Sequence, residues 1–401
     1  MLKLTKKLSA FALIIILGSS IFFPSAKAAS AQMSFPEINS DSAVLMEFSR
    51  GEIIFSQNGS KPMPPASLTK IMTILLAYDA LEEGRAKWDE KVTISEKAWQ
   101  TGGSQMFLEV GQQVTFGDLI TGIAVISAND ACVALAEHLF GLEASFVQEM
   151  NNKARELNLS NTRFENASGL PHPDHYSSAE DIARLSHHLI NKYPQVLKLY
   201  SQKEFSFNEI PQTNRNPLLG RFPGADGLKT GHTSEAGYCL VGTAEQNGMR
   251  FISVILNAPS EAMRLKDSEA LLNFAFRNYC LEKIFSAGEI LSTVQVSKGK
   301  EREVRLQVVK AVEVVIPYDR KEDLQVRIDV PESVSSPVTK GTALGKIEVT
   351  LDGTVLREEP LVAADDVARA GRLALLWRFC SGFISSLWKG LVGKVLSFLP
   401  W

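Results

Sequence analysis

Ser67 and Lys70 stand three residues apart in the stretch Pro65-Ala66-Ser67-Leu68-Thr69-Lys70-Ile71-Met72-Thr73-Ile74-Leu75-Leu76. A serine hydroxyl is a weak nucleophile until a base takes its proton, and lysine is such a base only where its pKa is lowered. Apolar residues at Leu68, Ile71, Met72, Leu75 and Leu76 follow the three-and-four spacing of an amphipathic helix opening after Pro65. Neighbours at i and i+3 share a helix face with Cβ atoms about 5–6 Å apart, so hydroxyl and ammonium meet in the first turn. Burial, the positive end of the helix dipole and a second cation would each lower the lysine pKa. The pattern alone is cheap: Ser297/Lys300 and Ser386/Lys389 repeat it. A helix-starting serine beside a solvated lysine explains any single copy equally well.

Two further groups follow. Ser127-Ala128-Asn129-Asp130 joins an apolar helical run over 118–126 to another over 131–140, and such a short polar connection points Ser127 and Asn129 back at a shared cleft or simply makes a turn. Lys229-Thr230-Gly231 occurs once and leads into two alternating apolar runs, Tyr238 to Ala244 and Arg250 to Leu256, joined by the hairpin signal Asn247-Gly248. There lysine and threonine donors can hold a carboxylate while the strand edge pairs with an extended peptide.

The elements that must position these groups fit a chain of 401 residues, 45% hydrophobic and 22% charged, which is globular and long enough for two or three domains. Lys3, Lys6 and Lys7 precede an apolar stretch from Leu8 to Phe23, and Ala26-Lys27-Ala28 ends it, the pattern of a secretory signal over 1–28 cut after Ala28. The net charge is −3; setting aside the four lysines of 1–28 and the five basic residues of 367–401 leaves −12 on 29–366. So acidic a body is a poor partner for nucleic acid.

Alternation at Ala43–Glu47 and Arg50–Phe55 predicts a β-hairpin ahead of the Ser67 helix. Helices are expected over 143–158, from the Ser178 cap to about Lys192, and from Ser260 to Phe285, with a domain boundary at Ser286-Ala287-Gly288. Period-two runs over 304–308, 312–316, 324–330 and 347–351 then predict a small all-β domain, 286–366, with no cluster of catalytic residue types. His172, His175, His187 and His188 raise the question of zinc, but H-E-x-x-H is missing and Pro173 breaks the helix that would align ligands. No metal or cofactor is expected. Cys132, Cys239, Cys280 and Cys380 show no C-x-x-C, and the first two read as buried thiols.

From Leu376 to Leu399, eleven large apolar residues, Phe379, Phe383, Leu387, Trp388 and Leu391 among them, fall on one helical stripe opposite Arg378, Gly382, Ser385, Lys389 and Gly393. The uncharged stretch is too short to span a bilayer. The segment 367–401 is therefore expected to lie in a membrane surface as an amphipathic helix.

S-x-x-K, then S-x-N, then K-T-G in that order is far more specific than its parts, and the chain resembles the penicillin-binding proteins and serine β-lactamases, with Ser-Ala-Asn where their pattern has aspartate in the middle. The Lys229-Thr230-Gly231-His232-Thr233 stretch, the added β domain and the amphipathic tail make it most similar to the low-molecular-mass, serine-type D-alanyl-D-alanine carboxypeptidases (peptidase S11 type). The resemblance implies an α/β (α+β) domain over 29–285 with helices on an antiparallel sheet. It implies Ser67 as nucleophile, Lys70 as base and Ser127 as proton relay to the leaving D-alanine. It further implies that Asn129 holds the substrate amide, that Lys229 is the second cation, that Lys229, Thr230 and Arg264 meet the terminal carboxylate, and that the Ser67 and His232 N–H groups form the oxyanion hole. The substrate would be a peptidoglycan stem ending in D-Ala-D-Ala, with β-lactams as acylating inhibitors and the outer face of the cytoplasmic membrane as the location. A β-lactamase with Glu165 as deacylating base, and a non-catalytic β-lactam sensor or wall-binding protein, are the alternatives.

Overall fold

The computed structural model describes residues 34–377. The expected leader and the tail beyond Trp377 lie outside the described residues. Strands β1 (Ser42–Glu47) and β2 (Glu52–Gln57) pair antiparallel as the hairpin that alternation predicts. A 3-10 turn over Ala66–Thr69 carries Ser67 and runs straight into α1 (Lys70–Glu82). Next come β3 (Lys91–Thr93), α2 (Glu96–Gln100), β4 (Gln113–Thr115), α3 (Phe116–Val125), α4 (Asn129–Phe140) and α5 (Glu143–Glu156). They are followed by α6 (Ala179–Lys192), α7 (Val196–Tyr200), β5 (Glu204–Phe207), β6 (Ile210–Thr213), β7 (Ala225–Thr233), β8 (Gly237–Gln246), β9 (Met249–Ala258) and α8 (Glu261–Asn278).

Five of these strands form an antiparallel sheet in the order β2-β1-β9-β8-β7, so the chain's first hairpin pairs with its late one and β7 is an outer strand. Helices α6 and α8 pack against β9. Side-chain caps fix where helices begin: Ser178 accepts the Asp181 N–H ahead of α6, and Ser260 accepts the Met263 N–H ahead of α8.

Helix α1 departs from the amphipathic expectation, for every residue from Lys70 to Ala80 is buried. It packs against α3, α4, α5 and α6 at once, so it has no solvent face. Its polar residues are bonded internally instead: Thr73 Oγ1 donates to Ala167 O at 2.6 Å, and Asp79 accepts from Lys192 Nζ at 2.8 Å and Tyr193 Oη at 2.7 Å. The apolar residues of α1 join those of α3, α4 and the sheet in one core.

The helix expected from Ser260 to Phe285 ends at Asn278. Tyr279 turns extended, and β10 (Tyr279–Phe285) pairs antiparallel with β13 (Val312–Pro317). A seven-residue run rich in apolar residues reads equally as helix or strand by periodicity, and here strand pairing decides it. Between and beyond lie β11 (Ile290–Ser297), β12 (Glu303–Val308), β14 (Leu324–Asp329), β15 (Ser333–Ser335), β16 (Ala343–Leu351) and β17 (Thr354–Ala363). The last two pair across a turn at Asp352-Gly353, in a six-stranded sheet of order β14-β16-β17-β12-β11-β15. This β region has its own apolar core, built on Val304, Leu306, Ile347, Val349 and Leu361.

Candidate active site

The 3-10 turn and the start of α1 place Ser67 and Lys70 as their spacing demands: Lys70 Nζ donates to Ser67 Oγ at 2.8 Å. The same nitrogen donates to Asn129 Oδ1 at 2.7 Å and to the Ser168 carbonyl at 2.6 Å. Asn129 Nδ2 donates to Gly102 O at 2.7 Å, which fixes the amide so that its oxygen faces the lysine. The arrangement dictates a proton direction. A neutral amine keeps two N–H groups and one lone pair; Asn129 Oδ1 and Ser168 O can only accept, so they claim the two hydrogens and leave the lone pair facing the Ser67 hydroxyl. Burial is the largest cause lowering the Lys70 pKa to about 8, and the positive charge of Arg215 lowers it further against Cys132 and Asp130. Lys70 thus becomes a base near neutral pH.

Ser168 belongs to a loop that the sequence motifs passed over. Asn166 Oδ1 accepts the backbone N–H groups of Ser168, Gly169 and Leu170 at 3.2, 2.7 and 3.1 Å, while its Nδ2 donates to Leu170 O at 2.9 Å. The Ala167 peptide is held on both sides, its N–H by Glu143 Oε1 at 3.0 Å and its carbonyl by Thr73. Gly169 has φ +83°, and a Cβ there would stand 1.9 Å from Ala66 O, beside the nucleophile. Asn-x-x-Gly was the available signal, since an asparagine side chain that closes a turn on its own following backbone is typical of such segments. Asn166→Ala is expected to cost about 2 kcal/mol of stability by leaving these donors without their shared acceptor; urea unfolding against the parent chain checks it.

Ser67, Ser127, Thr230, Gly231, His232 and Arg264 line one cleft of about 220 Å³. Ser104, Arg215, Tyr238 and Glu261, which sequence reasoning missed, line it too. Ser127 is buried with φ +65°. Gly231 lets β7 lie against the nucleophile's turn: a Cβ there would sit 3.0 Å from Pro65 O and 3.2 Å from Ser67 N. Arg264 is buried, donating to the Gly231 and Cys239 carbonyls at 3.4 and 3.5 Å and pairing with Glu261. Its guanidinium lies 5.6 Å from the Tyr238 ring centre, and the His232 ring packs against the same ring, tilted by 35°, with centroids 4.2 Å apart.

Two of the expected residues are engaged within the protein. Asn129 gives its carbonyl to Lys70. Lys229 is buried with Nζ on the neighbouring Thr230 carbonyl at 3.0 Å and is not among the residues lining the cleft. Burial first and Lys70 second push its pKa well below the usual lysine range, while the cation that most lowers the Lys70 pKa is Arg215.

The remaining candidates have local partners. His175 accepts Glu165 N–H on Nδ1 at 3.3 Å and meets Thr69 Oγ1 through Nε2 at 2.8 Å; Thr69 spends its own proton on Ala66 O, so Nε2 carries the hydrogen. Glu165, the carboxylate a β-lactamase reading needs, pairs with Arg163 at 2.7 Å and does not line the cleft. Ligand atoms of Glu165, His172 and Asp174 come within 4.8 Å of one another, but His172 Nδ1 already accepts Asp174 N–H. Cys132 and Cys239 are buried free thiols.

The sequence profile of the D-alanyl-D-alanine carboxypeptidase family matches residues 27–260, and that of the penicillin-binding protein 5 C-terminal domain matches 279–369. The D-alanyl-D-alanine carboxypeptidase DacF of Bacillus subtilis is 38% identical over 343 residues, 84% of this chain and 88% of that protein. The crystal structure of penicillin binding protein 5 from Haemophilus influenzae superposes with a TM-score of 0.71 at 37% identity, covering 84% of this chain and 99% of that one. Penicillin-Binding Protein D2 from Listeria monocytogenes, solved in an ampicillin-bound form, gives a TM-score of 0.56 at 35% identity over 61% of this chain and 99% of its own. A serine and a lysine joined by a hydrogen bond at the head of a buried helix, facing a K-T-G strand, thus stand in a chain that belongs to the peptidase S11 family of D-alanyl-D-alanine carboxypeptidases, serine-type hydrolases.

Proposed function

We propose that this enzyme removes the terminal D-alanine from peptidoglycan stems ending in D-Ala-D-Ala, through an ester on Ser67. The observation that carries the reading is the Lys70 amine held between Ser67 Oγ, Asn129 Oδ1 and Ser168 O. Lys70 takes the Ser67 proton as Oγ bonds to the carbonyl carbon of the penultimate D-alanine. Negative charge then gathers on the carbonyl oxygen, where the Ser67 and His232 N–H groups receive it. The C–N bond breaks as Ser127 passes a proton to the departing amine, and water hydrolyses the ester. Arg264, Arg215 and Thr230 give the cleft the donors for a terminal carboxylate. β-Lactams acylate the same oxygen.

The test is D-alanine release from a D-Ala-D-Ala pentapeptide by the purified chain, together with a one-penicillin mass increase on incubation with benzylpenicillin. Both are expected; capture without release would favour a sensor or binding role, and neither would end the reading. Gly169→Ala, which drives a methyl group into the Ala66 carbonyl, is expected to slow release about 10²-fold by shifting Ser67; single-turnover acylation checks it.

The division of the chain into a leader (1–28), a catalytic region (29–285), a β-rich region (286–366) and an anchor (367–401) is part of the same proposal, as is export to the outer face of the cytoplasmic membrane. Among the described residues no helix is long and apolar enough to cross a membrane. Residues 372–377 begin a helical turn that exposes Leu373, Leu376 and Trp377 at 84, 62 and 76%, which suits a tail that lies on a lipid surface.

A further inference from the structure

Among the residues that line the cleft, Arg215 and Arg264 carry positive charge and Glu261 carries the opposite sign. The two arginines differ in how much of themselves they can offer. Arg215 is exposed, whereas Arg264 is 3% exposed and its nitrogens are largely committed. Nη1 donates to the Gly231 and Cys239 carbonyls at 3.4 and 3.5 Å, and Nε is buried with no partner. Nη2 is left to meet an anion, and Glu261 already accepts from it.

The placement of Glu261 is local. Ser260 caps α8 by accepting the Met263 N–H, Glu261 is the first residue of the helix, and Arg264 stands three positions on, where side chains share a face. A carboxylate in a helix's first turn is also favoured by the helix dipole. Burial is the largest cause pulling the Arg264 pKa down, and the Glu261 charge is the first that opposes it. With the cleft empty, Glu261 is thus the counter-ion of a buried guanidinium. Its own side chain is 68% exposed, so it can turn to water when another carboxylate arrives.

We infer that Glu261 occupies the Arg264 end of the carboxylate subsite and competes with the substrate for it. The terminal carboxylate of a stem reaches Nη2 by displacing Glu261, and Glu261 returns as D-alanine leaves. Two carboxylates brought to one nitrogen repel, so the ion pair that is broken is subtracted from the affinity for the incoming group. An ion pair with one exposed partner corresponds to about a three- to fivefold change in binding. Glu261 therefore holds substrate and product affinity down by about that factor. This inference rests on the carboxypeptidase reading of the cleft.

The test measures kcat and KM for D-alanine release from a D-Ala-D-Ala pentapeptide by the full chain, Glu261→Gln and Glu261→Ala, with inhibition by added D-alanine and by D-alaninamide. Both variants are expected to lower KM about three- to fivefold at low salt, less as salt rises, with the change on KM rather than kcat. Added D-alanine should inhibit the variants more tightly by a similar factor. D-Alaninamide, which has no carboxylate, should act alike on all three chains. A KM that rises in both variants would make Glu261 the residue that orients Arg264, and overturns the inference. So does a KM unchanged in both, or equal tightening of D-alanine and its amide. Each of these leaves the carboxypeptidase intact, whereas a parent chain that releases no D-alanine overturns both readings. Because Glu261 is an exposed side chain, its replacement should leave the fold in place, and thermal unfolding of the three chains checks that.

Discussion

Ser67→Ala is expected to lower D-alanine release at least about 10³-fold and to abolish the covalent capture of penicillin, with the fold intact. The size follows from what is lost. Without Oγ no ester forms, and the oxyanion donors and the cationic cleft act without the nucleophile that Lys70 activates. The fold should survive because Ser67 is only half-buried and its hydroxyl is one of three partners of Lys70; the other two remain. Loss of a single hydrogen bond of this kind costs about 1 kcal/mol. Release and intact mass after benzylpenicillin treatment are measured beside thermal unfolding. A variant that keeps its unfolding midpoint and still releases D-alanine within tenfold of the parent would remove Ser67 from the mechanism.

What the sequence showed of this site follows the range over which its signals act. Ser67 and Lys70 meet through local helical geometry, so three-residue spacing was sufficient. The Ser127–Asn129 connection was legible as a position, but not Asn129's partner, because Lys70 lies 59 residues away and reaches it only through the packing of α1 on α4. Ser168 contributes a main-chain carbonyl, and no side-chain type announces a carbonyl. Arg215, Ser104 and Tyr238 come from segments without a motif and reach the cleft by tertiary folding alone. The two hairpins and the β region were readable because alternation and the Asn-Gly turn are local; the end of α8 was not, because β10 is defined by a partner strand about 27 to 38 residues on. Burial of α1 likewise depends on four neighbours that its own pattern of apolar residues does not reveal.

Lys70 should govern the pH dependence of acylation, and Lys70→Met is expected to slow acylation about 10³-fold, within the usual range for loss of a positioned base. The amine accepts a proton only when neutral, so the wild-type acylation rate should rise with pH and reach half its plateau near the Lys70 pKa of about 8. Linkage gives a second, independent sign. The folded pKa lies below the ordinary lysine value of 10.5, so between about 8 and 10.5 the unfolded chain binds more protons and this group makes stability rise with pH. At neutral pH the buried ammonium therefore costs about 3 kcal/mol relative to an unperturbed lysine. Methionine removes that cost but strands Asn129 Oδ1 and Ser168 O, each worth about 1–3 kcal/mol when left unpaired, so the two effects roughly offset. Lys70→Met should accordingly stay folded near pH 7 yet lose both its reactivity and the rise in stability above pH 8. Stopped-flow acylation from pH 6 to 10, with urea unfolding at the same pH values, measures both. A rate that is flat across pH 8, or a methionine variant acylated within tenfold of the parent, would show that another group takes the Ser67 proton.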